Sequence, residues 1–253
     1  MEVKTNPIQV ADKLFAVIEL LAAKGAMGLM DLSNKLELNK TTAHRLLNSL
    51  VYMGYVFQEP STHKYRLSFK ICGLSNQILN NIDIARVVRP YLRELVNLTG
   101  ETVHLVQLDG MNAVYIDKIE STNNSIRLVS QLGKQLPLYC SGVGKALLAE
   151  MPSEKVARIW NESEIVSLTP HTIVDFSELE SELKKISKSG YAIDNEENEE
   201  GIRCVAASLG TKGSESDYAF SLSAPVYRMD DKRMAEIAKH ILETKEKIMI
   251  NIY

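Results

Sequence analysis

Cysteine is scarce in this chain. There are three, Cys72, Cys140 and Cys204, and they form no CxxC pair and no even-numbered framework. A disulfide-stapled scaffold is excluded, reduced thiols are the expected state, and structural zinc has no ligand cluster at the usual spacing. Long hydrophobic runs are missing too: nothing approaches the ~20 apolar residues of a membrane span. The opening, MEVKTNPIQVADK, carries charge and a proline and lacks the apolar stretch of a signal peptide, so a cytosolic location is expected. Neither sign of charge is in strong excess, the net value being -3. Its distribution is uneven, however. Residues 1–66 hold eight Lys or Arg against six Asp or Glu, which leaves the remainder five charges negative. A mildly basic head on an acidic body is compatible with nucleic-acid binding at one end alone.

At 253 residues, against a prior of roughly 150 per domain, two units are expected. The first opens at Asn6-Pro7, a pair suited to a helix start. Leu14, Val17, Ile18 and Leu21 then recur at helical spacing before Gly25 and Gly28, and Leu29, Leu32 and Leu36 mark a short second helix. Asn39 is expected to cap a third helix, with Leu46, Leu47, Leu50 and Val51 inward and Gly54 as its stop. The opposite face presents Lys40, Thr41, Thr42, His44, Arg45 and Asn48. Hydroxyls, an amide and cations near a helix N-terminus are the groups that read base edges and phosphates in a major groove. YVFQEPSTHKYRLSF reads as a hairpin, with Tyr55 and Phe57, then Tyr65 and Leu67, alternating with polar residues, and Thr62, His63 and Lys64 at the tip. Three short helices followed by a hairpin make a winged helix-turn-helix. A plain helical domain with a solvated third helix shares parts of the pattern, but not its order of helix, tight turn, polar-tipped helix and wing.

The segment LSNKLELNKTTAHRLLNSLVYMGYV resembles the DNA-binding segment of the isocitrate lyase regulator (IclR) family. Glu37 departs from that pattern, standing where such turns usually have glycine. A left-handed backbone there costs about 1 kcal/mol for a non-glycine residue, so a remodelled turn is expected. Beyond the wing, Ile71, Leu74, Ile78 and Ile82 form an apolar seam on a linker helix, which either packs onto a domain or makes a dimer contact. The resemblance implies dimerisation near the heads, since a near-palindromic operator in double-stranded DNA presents its half-sites about 34 Å apart.

From Ile84 the pattern is mixed. IARVVRPYLRELVNLTG is an amphipathic helix ended by Gly100, and TVHLVQLDGMNAVYIDKIE reads as two strands around Asp109-Gly110. IRLVS, CVAASLG and YAFSLSAP read as further strands, and GKALLAEM, SEKVARIW, FSELESELKKISKSG and MDDKRMAEIAKHILETKEKI as helices. Helices flanking a largely antiparallel sheet give an α+β domain. Enzymatic motifs fail on inspection. GVGKA ends like a phosphate-binding loop, but Tyr139 and Ala146 stand where glycine and Ser or Thr are needed. The acidic run DNEENEEG lacks calcium-loop spacing and reads as a solvated loop. Cys204 has no histidine near it in sequence and reads as a buried thiol.

GKQLPLYCSGVGKALLAEM, SGYAIDNEENEEGIRCVAASLG and YAFSLSAP resemble the effector domain of the same family, and the likeness extends from about Ile8 to Ile250. It implies a GAF-like fold and a pocket in which family members that bind small 2-oxo acids hold them against the loop before the GKA helix. Carried over, the pocket takes the backbone N–H groups of Gly142 and Val143 and the side chains of Asp194, Cys204, Ser221 and Ser223. The chemistry is independently sensible. Amides opening a helix favour a carboxylate, and two serines at i and i+2 point to one face of a strand. Leu128, Leu136 and Leu138 are either cavity wall or core.

The expected molecule is an α+β protein: winged helix-turn-helix over 1–68, linker helix over 69–83, and GAF-like effector domain over 84–253. It is expected to be a homodimer or dimer of dimers, without cofactor, metal, membrane or catalytic activity. Its operator binding would respond to a small carboxylate such as a 2-oxo acid or sugar acid, with 2-keto-3-deoxygluconate as the branch the resemblance suggests. Repression relieved by ligand is the reading taken. Activation, a ligand-insensitive DNA-binding oligomer, and an enzyme with an oligomerising head are the alternatives.

Overall fold

A computed structural model describes residues 6–80, 83–121, 130–210 and 216–252. The chain divides into two compact units, residues 1–81 and 82–253. The first contains helices α1 (Gln9–Lys24), α2 (Leu29–Lys35) and α3 (Lys40–Tyr52), strands β1 (Val56–Gln58) and β2 (Tyr65–Leu67), and helix α4 (Lys70–Asn80). Val17, Leu21, Leu32, Leu46, Leu47 and Leu50 form one apolar cluster with Val56 and Tyr65 from the hairpin. The seam read on α1 and α2 is therefore the packed one.

Three local expectations are corrected. Helix α1 begins at Gln9, two residues later than Asn6-Pro7 suggested; Asn6 instead accepts the Ile8 N–H at 2.9 Å in a turn before it. Val51 is 39% exposed, because the stripe from Ala43 to Leu50 already fills the side of α3 that faces the core. In the first strand of the wing the phase is inverted, whereas Tyr65 of the second is buried as read: Val56 is buried and Phe57 is 43% exposed, with the Arg66 guanidinium 4.9 Å from its ring. The residue between Tyr55 and Phe57 is the apolar Val56, so the spacing fits either phase of this strand, and packing on α3 selects Val56.

The turn between α2 and α3 is not remodelled. Glu37 takes φ 52, the left-handed region, while Ser33 Oγ donates to Leu38 O at 2.6 Å and Leu38 N to Ser33 O at 2.9 Å. These bonds hold the turn against the strain of a side chain at that φ.

The second unit is a six-stranded sheet in the order β5-β4-β3-β8-β7-β6, every pairing antiparallel. The strands are β3 (Thr102–Asp109), β4 (Asn112–Ile119), β5 (Gln135–Pro137), β6 (Ala192–Asn195), β7 (Ile202–Ser208) and β8 (Tyr218–Pro225). Helices α5 (Asp83–Thr99) and α9 (Asp231–Ile252) cover one face, where Leu92, Leu95, Ile237 and Ile241 meet Val103, Leu105, Val205, Phe220 and Leu222. On the other face, α6 (Gly142–Leu148) and α8 (Phe176–Ser189) pack over Val106, Ala192, Ala206 and Ala219, with α7 (Ser153–Glu162) adding Val156 and Ile159. The α+β class is as expected. IRLVS lies outside the described residues except for Ser130, as do Leu128 and Ile82 of the sequence reading.

Candidate effector pocket and DNA-contacting face

Successive residues of a strand point to opposite faces, so the apolar parity that builds the α5/α9 side leaves its alternates for the other. Small alternates, Ala206 and Ala219, lie beneath α6. Several of the others are polar. Asp194 pairs with Cys204, Cys204 with Ser223, and Ser221 with His104, so one polar stripe crosses β6, β7, β8 and β3. No helix covers the stripe completely. It floors a cavity of about 590 Å³, including its open mouth, lined by Gly142, Val143, Asp194, Cys204, Ser221 and Ser223. All six residues singled out for the effector are thus brought to one wall, although 81 positions separate the first from the last.

Helix α6 reaches this floor because its first turn lacks bulk. A Cβ on Gly142 would stand 3.4 Å from the Cβ atoms of Ala206 and Asp194, and one on Gly144 would stand 2.4 Å from the Leu138 backbone. Ser141 caps the helix, its Oγ accepting from Gly144 N at 3.2 Å and donating to Pro137 O at 2.7 Å. The cap leaves the Gly142 and Val143 N–H groups without an acceptor in a preceding turn. Leu136 lines the cavity, whereas Leu138 is core.

The acidic run is not the solvated loop it resembles. Asp194 and Glu197 are 4% and 5% exposed. Asp194 accepts the Glu197 N–H at 2.8 Å and the Asn198 N–H at 3.4 Å, folding the loop back on itself. Glu197 accepts from the Lys145 ammonium at 2.5 Å, so the lysine of GVGKA is committed to an internal ion pair. The pair thus occupies the lysine that a phosphate-binding loop would need, in addition to the glycine missing at Tyr139. Burial, then the neighbouring Glu197 carboxylate, pushes Asp194 up to about 7.

His104 escaped the sequence reading. It is 2% exposed, and its Nε2 lies 2.7 Å from Ser130 Oγ and its Nδ1 3.4 Å from Ser223 Oγ. The Tyr115 ring lies against it, tilted by 44° with the centroids 4.8 Å apart. Burial, with a smaller contribution from Lys118, pushes the imidazole down to about 3, so it is a neutral donor–acceptor on the cavity wall. Only its parity with Thr102 and Val106 along β3 could have hinted at this. A histidine and a cysteine therefore do share the cavity, but burial drives the Cys204 thiol well above its ordinary range, which removes the thiolate a nucleophile needs.

In the first unit, Asn39 caps α3 by accepting the Thr42 N–H at 2.8 Å. Lys40, Thr41, His44, Arg45 and Asn48 are exposed along one side, Thr42 is half-buried, and His44 Nδ1 lies 3.5 Å from Asn48 Nδ2. At the wing tip His63 has φ 55, and Thr62, His63 and Lys64 are exposed. The tip is tied by Glu59 N to Lys64 O at 2.8 Å and by Thr62 Oγ1 to Glu59 Oε2 at 2.8 Å.

Comparison with known proteins agrees with this architecture. The family described as Bacterial transcriptional regulator IclR C-terminal matches residues 76–250, and the IclR helix-turn-helix domain matches residues 10–60. The HTH-type transcriptional regulator KdgR of Escherichia coli (strain K12) is 34% identical over 93% of this chain and 89% of its own length. KdgR of Dickeya chrysanthemi is 36% identical over 88% of this chain and 73% of its own. The crystal structure of the Thermotoga maritima IclR is similar with a TM-score of 0.81 at 29% identity, over 95% of this chain and 97% of that one. With a winged helix-turn-helix at one end, an effector-type sheet at the other and one family matching both, the chain belongs to the IclR family of bacterial transcriptional regulators.

Proposed function

We propose that this regulator is a repressor whose hold on a near-palindromic operator is relaxed by a small carboxylate, a 2-oxo acid or sugar acid, bound in the second unit. The observation that carries the reading is the polar stripe of Ser221, Ser223, Cys204 and Asp194 lying under the open amides of α6 in an otherwise apolar face. In this reading the two serines and the Gly142 and Val143 amides hold the carboxylate, while Asp194, Cys204 and His104 face the hydroxylated remainder. Similarity to KdgR favours 2-keto-3-deoxy-aldonates as the ligands to try first. Lys40, Thr41, Thr42, His44, Arg45 and Asn48 would meet the major groove, with His63 and Lys64 of the wing on the flanking backbone. A homodimer or dimer of dimers would present two such heads. The ligand acts by binding one arrangement of the heads more tightly than the other, and a few kcal/mol of difference is sufficient.

The test is a thermal-shift screen of the full chain against 2-oxo acids, aldonates and aromatic acids, followed by operator release with each hit. Selective binding raises the melting temperature by mass action. The expected result is a hit among 2-oxo or sugar acids that also releases operator, and that is lost when Ser221 and Ser223 are both replaced by alanine. An unchanged response in that double variant overturns the pocket assignment. A hit that strengthens operator binding overturns relief of repression in favour of activation.

A further inference from the structure

We propose that Asp194 receives the effector as a neutral acid, donating its proton in a hydrogen bond to a ligand oxygen outside the carboxylate, so that above neutral pH each carboxylate enters the cavity together with one proton. This rests on the effector reading of the cavity and deepens it by assigning Asp194 a protonation state and binding a thermodynamic signature.

The argument begins with a count of buried charge. Behind the stripe lie two carboxylates, Asp194 and Glu197, and one ammonium, Lys145, which is 1% exposed. Lys145 is already bonded to Glu197 Oε1 at 2.5 Å, and Glu197 Oε2 has no hydrogen-bond partner among the described residues. Asp194 receives two backbone N–H groups on Oδ1 but no ion pair of its own among the described residues. The group is thus one negative charge in excess when Asp194 is ionised. An anion placed on Ser221 and Ser223 adds a second, in a site where burying an unpaired charge is costly. A proton on Asp194 removes one of these two negative charges, leaving the anion's own, and turns the repulsion between the two groups into a hydrogen bond donated to the ligand.

Among the described residues, the other groups facing Asp194 do not supply the missing charge. On β7, Cys204 is kept a thiol by burial, and so are Cys140 ahead of α6 and the phenol of Tyr115 on β4. His104 on β3 is held neutral by burial. Lys118 on β4 is bonded to Ser130 O at 3.2 Å and paired with Glu120 at 2.9 Å. At the mouth, exposed Lys134 and exposed Glu199 oppose one another in sign. Burial and Glu197 already bring Asp194 up to about 7, so near neutral pH its proton is gained readily.

The experiment is calorimetric titration of the full chain with 2-keto-3-deoxygluconate and with pyruvate at pH 6, 7 and 8, in pairs of buffers of different ionisation enthalpy. The wild type should take up close to one proton per ligand at pH 8 and almost none at pH 6, with affinity falling about tenfold per pH unit above 7. Asp194→Asn mimics the neutral acid, and should bind at pH 8 as tightly as the wild type does at pH 6, with no proton uptake. Affinity independent of pH, with heats independent of buffer, overturns the inference while leaving the effector site standing. Proton uptake that persists in Asp194→Asn overturns it in favour of His104. If neither acid binds at pH 6, the effector reading for these acids fails, and this inference with it. The wild-type proton count does not depend on the variant folding.

Discussion

Glu37 shows how one residue can carry a local conflict that the fold overrides. Its φ of 52 is one that a side chain occupies at a cost, and the Ser33–Leu38 bonds on either side keep it there. Glu37→Gly should therefore stabilise the first unit by about 1 kcal/mol, measured as a raised denaturation midpoint with unchanged slope. The cavity residues carry a second kind of conflict, between burial and charge. His104 is pushed from 6.5 down to about 3, so the unfolded chain binds its proton first and stability is lost as pH falls through that window. Asp194 is pushed from 3.8 up to about 7, so the folded state binds its proton first and stability is lost as pH rises through that window. His104→Gln should flatten the acid side of a melting-temperature profile, and Asp194→Asn the side approaching neutrality. Unchanged profiles would contradict the burial-driven origin of both shifts.

Helix α6 is the element on which the cavity depends. Seven residues give it little stability of its own, and it is positioned by its cap, by close approach to the sheet, and by the Lys145–Glu197 pair. Gly144 is the tightest point, since the atoms a Cβ would meet at 2.4 Å belong to the Leu138 backbone and cannot rotate away. Gly144→Ala should cost about 3 kcal/mol, an overpacking penalty at the upper end of the usual range. It should also abolish the effector-induced thermal shift while α3 and the wing keep their operator affinity. Urea denaturation together with ligand titration reads both effects. The short strand β6 was illegible for a related reason. Its AIDN segment runs into the acidic residues, and only pairing with β7 turns Asp194 inward. The long helices α8 and α9, by contrast, could be read directly from their spacing. Asp175 caps α8, and Gly190 ends it at φ 83, where glycine bears no steric cost.

Across the whole molecule, charge is divided between the parts. The first 66 residues are net positive and the remainder is acidic, which favours DNA contact through the first unit and repels it from the second. Operator affinity should accordingly fall linearly with the logarithm of salt concentration. Arg45→Ala should weaken it. A slope reduced by about one, with loss uniform across operator sequences, identifies a phosphate contact, while relaxed specificity at one base pair identifies a guanine contact. Unchanged affinity would overturn the placement of α3 in the groove.

Much of this protein was determined by the sequence alone. The order of helices and hairpin, the cap at Asn39, and the polar side of α3 follow from local periodicity and turn chemistry, which act over a few residues. The six candidate effector residues came from family likeness rather than from spacing. What only the tertiary structure decided depends on contacts between distant segments. Packing against α3 chose Val56 over Phe57, and the pairing of β3 with β8 brought His104 to Ser221. The docking of α6 buried Lys145 against Glu197 and left Asp194 without an ion pair of its own among the described residues. Burial of a charged group depends on which partners the fold supplies, and no local pattern encodes them.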